Sequence, residues 1–129
     1  MSAGDVPMFE LFYACFLAGV PIACEQLGDT SQFFQYELNV ASQVGPNDCS
    51  DVVVYVTDNA RVAAECGTGR AACYWPQTRR IWASIERGQN LGQDVLHEFA
   101  HCTTGERTHT KKYLQAQQRF LKLYYGGHE

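Results

Sequence analysis

The sequence predicts a small α+β domain: an N-terminal helix, a short twisted mixed sheet with an edge strand, an active-site helix and a C-terminal helix. Three observations carry this. Apolar residues recur at helical spacing near the start, short runs in the middle have strand patterning, and an apolar stretch holding two histidines stops at a glycine. With 129 residues, 46% hydrophobic and 19% charged, the chain forms one domain, 1–129, and can bury a core. That composition excludes intrinsic disorder and fibrous rods, and no repeat or linker marks a boundary.

In the first element Phe9, Phe12, Tyr13, Phe16 and Val20 recur at helical spacing up to Pro21. Glu10 interrupts the run and no Lys or Arg precedes it, so a core-packing helix is favoured over a signal or membrane segment. Phe34, Tyr36, Leu38 and Val40 then alternate with polar residues, predicting a half-buried strand. Residues 52–56, Val-Val-Val-Tyr-Val, predict a central strand covered on both faces. Ile81, Ala83 and Ile85 alternate with Trp82 and Ser84, predicting a further strand. A helix should start near Asn90, with Gln93 completing a capping box, and stop before Gly105. A last helix over about 110–125 turns Tyr113, Leu114, Phe120, Leu121 and Tyr124 inward.

Six cysteines, at 15, 24, 49, 66, 73 and 102, permit three disulfides and contain no C-x-x-C pair. Cys66 and Cys73 flank a Gly-Thr-Gly turn and are candidates for a small closed loop, with buried free thiols as the alternative. The compartment is not specified, although the count favours an oxidising one. The net charge of −4 is unevenly spread: residues 1–60 hold eight acids and no Lys or Arg, whereas 105–129 hold five bases and two acids. The basic tail, with Lys111, Lys112, Arg119 and Lys122, reads as a solvated helix face, and no specific nucleic-acid partner is expected. The acidic front half predicts a preference for cationic or neutral ligands.

One stretch carries chemistry: His97-Glu98-Phe99-Ala100-His101. On a helix, residues four apart share a face, so both imidazoles can reach one metal ion. Glu98 lies about 100° around the helix and can approach a metal-activated water without ligating the metal. Two histidines and a glutamate in so apolar a helix need something to satisfy them, and a metal does so. A catalytic zinc takes three protein ligands. Downstream only Glu106, His109, His128 and Glu129 are chemically suited, and His109 has the reach that Glu106 and the terminal pair lack.

The run HEFAHCTTGERTH, 97–109, resembles the active-site stretch of zincin metallopeptidases, which carry H-E-x-x-H on a helix, a glycine turn and a third histidine. It departs from the metzincin spacing: Thr104 stands where that glycine belongs, His109 comes two residues late, and no methionine follows Met8. The spacing is closer to the SprT-like and WLM minimal proteases, with Tyr113 as the aromatic residue after the third histidine. The resemblance covers about 50–115 and implies a small zincin-like domain with one Zn²⁺ per chain. It further implies that strand 81–85 is the edge on which an extended peptide or protein substrate pairs.

On that footing His97, His101 and His109 are the expected zinc ligands and Glu98 the expected general base of a metalloendopeptidase. Ile81, Trp82, Ala83, Ser84 and Ile85 are the expected substrate-binding residues, with Trp82 either a pocket wall or a core residue. Tyr113 is a candidate oxyanion donor, against a purely packing role. The rival readings are a zinc-stabilised scaffold that binds without proteolysis, and a disulfide-stapled interaction domain without metal.

Overall fold

The computed structural model describes residues 14–17, 20–23 and 29–126. His128 and Glu129, weighed above as distant metal ligands, and most of the proposed first helix lie outside the described residues. Where that helix falls within them, the chain forms an antiparallel hairpin of β1 (Ala14–Leu17) and β2 (Val20–Ala23). The apolar spacing misled because Val20 and Ile22 are β-branched and Pro21 between them cannot serve a helix interior.

A second sheet follows, built from β3 (Val53–Thr57), β4 (Ala72–Trp75) and β5 (Arg80–Ser84) in the order β3-β5-β4. β5 runs parallel to β3 and antiparallel to β4, so the sheet is mixed, as expected. The placement of strands differs from the sequence reading. β3 lies at one side, and the strand of residues 81–85, expected at the edge, is the centre. The outer edge of β3 is closed by residues 29–31. Thr30 N and Oγ1 both donate to Val54 O at 2.8 Å, and Val54 N donates to Ser31 Oγ at 2.9 Å. β4 is thus the open edge among the described residues.

Among the described residues four α-helices accompany this sheet: α1 (Gln35–Ser42), α2 (Asn59–Cys66), α3 (Leu91–Thr104) and α4 (Lys111–Gly126). None among the described residues is long and apolar enough to cross a membrane. The stretch expected as a strand at 34–40 is the 3₁₀ turn Ser31–Phe34 running into α1. Its buried positions are Phe34, Glu37, Val40, Ala41 and Val44, a helical stripe that the charged Glu37 conceals in the sequence. Glu37 is tolerated there because the Tyr124 hydroxyl donates to its Oε2 at 2.7 Å.

α3 begins after Asn90 and ends at Gly105 (φ 73°), close to the expected bounds, although the Asn90 side chain makes no capping hydrogen bond. The left-handed conformation at Gly105 is the reason a glycine stands there. Its last carbonyls are further satisfied by Asn47, whose backbone N donates to Thr103 O at 2.9 Å and whose Nδ2 donates to Cys102 O at 3.2 Å. Val95, Leu96, Phe99 and Ala100 of α3 pack into one core with Val54, Val56, Ile81 and Ala83 of the sheet. α4 contributes Tyr113, Ala116 and Phe120, whereas Leu114, expected inward, is exposed. Among the described residues two disulfides close loops: Cys49–Cys102 ties the end of α3 to the segment before β3, and Cys66–Cys73 ties α2 to β4. Covalent pairs of this kind suit an oxidising compartment.

Candidate metal centre

α3 lies against β4 and β5, and between its outer face and β4 runs a cleft of about 930 Å³. Helical spacing sets His97 and His101 one turn apart on that face. The turn at Gly105 reverses the chain, and His109 arrives opposite them before α4 starts. The three imidazoles converge, each offering one ring nitrogen, with these atoms within 4.8 Å of one another. His97 Nε2 and His109 Nε2 face each other at 2.9 Å.

Surroundings prepare these rings as ligands. His101 Nδ1 is 2.5 Å from the carbonyl oxygen of Glu106, which makes Nδ1 the protonated nitrogen and leaves Nε2 with its lone pair for the cluster. The Glu106 carboxylate is turned elsewhere and accepts from Thr110 Oγ1 at 2.8 Å. Burial, reinforced by His101 and His109, pushes His97 down to about 4, and burial also lowers His101. A neutral imidazole in a partly dry setting is the ligand form of histidine. Three converging nitrogens of this kind can hold a metal ion.

Glu98 follows His97 on the helix and lines the same cleft without joining the three-nitrogen cluster. Burial raises its carboxyl to about 8, helped by Asp94 and opposed by Arg70. With Arg70 as the cation acting on it, it therefore still holds a proton at neutral pH.

Tyr113 does not serve as an oxyanion donor here. It is fully buried, its hydroxyl donates to the His97 carbonyl at 2.9 Å, and burial raises its pKa. Its ring stacks on that of His101.

The expected substrate residues are also displaced. Ile81, Ala83 and Ser84 are fully buried, and none of the five residues at 81–85 lines the cleft. Trp82 is on the opposite sheet face, stacked on Tyr55 at 4.9 Å between centroids and covered by Arg61. The strand beside the histidines is β4, from which Ala72, Cys73, Tyr74 and Trp75 all line the cleft. A signal for it existed in the sequence: Tyr74-Trp75 bounded by Pro76, a few residues before another strand, is a hairpin pattern.

The cleft is not acidic either. Arg70, Arg79 and Arg107 line it against Asp94 and Glu98, and from residues 29–60 only Asn47 reaches it. Among the described residues the acidic front half contributes no charged side chain to the cleft, so the ground for expecting a preference for cationic or neutral ligands is absent from its described lining. No family model, curated protein or solved structure matches the chain.

Proposed function

We propose that the chain is a zinc-dependent metalloendopeptidase. The observation that carries this reading is the coincidence, in one cleft, of three converging histidines, a protonatable glutamate and a strand edge unpaired among the described residues. An all-imidazole donor set suits zinc. His97, His101 and His109 would hold it, and when bound it supplies Lewis acidity to a water and to the scissile carbonyl.

The remaining work belongs to the chain. An extended peptide joins the sheet along β4 by backbone hydrogen bonds, in the manner of an added strand. This lays its carbonyls across the cleft in front of α3. Glu98 accepts a proton from the attacking water as the new C–O bond forms. It then delivers that proton to the amine nitrogen as the C–N bond breaks. The Glu98 carboxyl, raised to about 8 by burial, would fall toward neutrality beside a cation held by the histidines, the range a general base needs.

The test is metal analysis with a hydrolysis assay. Protein purified without added metal should carry about one zinc per chain, the stoichiometry of such a site. It should cleave unstructured peptides, and both chelation and Glu98→Gln should abolish that activity. Absence of zinc would sink the reading. Zinc retained without cleavage would instead favour a metal-stabilised binding scaffold.

A further inference from the structure

Beside the histidines the cleft carries a second, positive chemistry. Of its charged lining, Arg79 is engaged by Asp51 through contacts of 2.9 and 2.5 Å, and Asp94 accepts from Arg87 at 2.8 Å. Glu98 is committed to the floor of the site. Arg70 and Arg107 remain, both exposed, and among the described residues neither side chain is in an ion pair or hydrogen bond.

They come from different walls. Arg70 stands two residues before β4, on the side of the open edge, and Arg107 two residues before His109, in the loop that brings the third imidazole. The chain maintains this although its formal charge is −4. Arg70 acts on Glu98 through its charge alone, without a hydrogen bond or ion pair, and Arg107 pairs with no carboxylate among the described residues. A guanidinium so placed at a cleft is a receptor for a carboxylate, because its planar fork matches both carboxylate oxygens.

We infer that the cleft selects a substrate carboxylate, received by Arg70 and Arg107. The inference rests on the peptidase reading and names its substrate class: peptides bearing an acidic side chain near the scissile bond, or a free carboxyl terminus. Both sources offer the same group to the same two arginines.

The experiment measures binding separately from turnover. The zinc-loaded Glu98→Gln variant is titrated with fluorescent peptides, amidated at the C-terminus, in which Glu, Gln or Lys is scanned through each position. A matching Gln peptide with a free C-terminus distinguishes the chain end from a side chain. The Glu peptide at one or more positions, or the free-acid peptide, should bind about tenfold or more tightly than its neutral counterpart, the scale of a charge-assisted contact. Arg70→Gln and Arg107→Gln should each shrink that ratio, and the double variant should bring it to about one, with circular dichroism unchanged.

Equal dissociation constants for all peptides, no measurable binding, or a preference that survives the double variant would overturn the inference. Its failure is separable from that of the peptidase reading. Wild-type protein that cleaves peptides without regard to charge refutes carboxylate selection alone. Acid-selective binding by a wild-type protein that cleaves nothing refutes hydrolysis alone.

Discussion

The ring of Tyr113 lies flat against that of His101, with centroids 4.2 Å apart and planes tilted by 15°. The same side chain donates its hydroxyl to the His97 carbonyl at 2.9 Å, so one residue of α4 steadies both histidines of α3. Tyr113→Phe keeps the stacking and loses the hydrogen bond, and should cost about 1 kcal/mol of stability. Tyr113→Ala removes the whole buried ring and should cost about 3–5 kcal/mol. Metal affinity should fall by about tenfold or more in the alanine variant, as when a ligand loses its orienting partner. Urea denaturation and chelator competition measure the two effects.

The ligands and the base should separate on mutation. His97→Ala, His101→Ala and His109→Ala should each lose most bound zinc and, because binding is coupled to folding, the thermal stabilisation that zinc confers. Glu98→Gln should keep zinc near one per chain while turnover falls by about 10² or more. Glu106→Ala should also keep zinc, since Glu106 serves the cluster through its backbone carbonyl. Zinc lost from Glu106→Ala but retained by His109→Ala would show that the third ligand is misassigned.

Metal-free protein should show a pH dependence with a definite sign. The Glu98 carboxyl is raised from 4.5 to about 8 in the folded state. Its contribution is therefore fully present below about pH 4.5 and is lost as pH rises toward 8. His97, lowered from 6.5 to about 4, acts in the other direction, its contribution complete above 6.5 and lost as pH falls toward 4. The stability gained by Glu98→Gln over wild type should grow between pH 4.5 and 8 and then level off. A gain independent of pH, in melts recorded with chelator, would contradict the burial of an ionisable Glu98.

The two described disulfides should contribute unequally. Cys49–Cys102 spans 53 residues and Cys66–Cys73 spans 7. Loop-closure entropy alone gives about 4 kcal/mol for the first and about 2.5 kcal/mol for the second. Paired serine variants, compared by denaturant titration, should follow that order. Loss of Cys49–Cys102 should also weaken zinc binding, because Cys102 directly follows His101.

How much of this was legible depended on whether a signal was local. The histidine helix, its glycine stop and the last helix could be read because spacing, cap and apolar face agree within one segment. His109 could be chosen by elimination, since few downstream residues have ligand chemistry. Residues 34–40 look like a strand in sequence because Tyr36 and Leu38 mimic alternation, while the true stripe includes Glu37, whose burial is supported by Tyr124 87 residues away. Strand order was equally hidden. Residues 81–85 are apolar on one face whether the strand is central or at an edge, and only the partners on either side decide.

Cys73 and Cys102 both line the cleft, one on β4 and the other on α3, and each is bonded to a cysteine behind its own wall. The opening thus works as a fixed gauge whose jaws are bolted from the outside. A ligand of the proposed kind would meet walls that each carry a covalent tie. Discrimination then falls to whatever charge stands at the rim, and a reducing environment would slacken both jaws together.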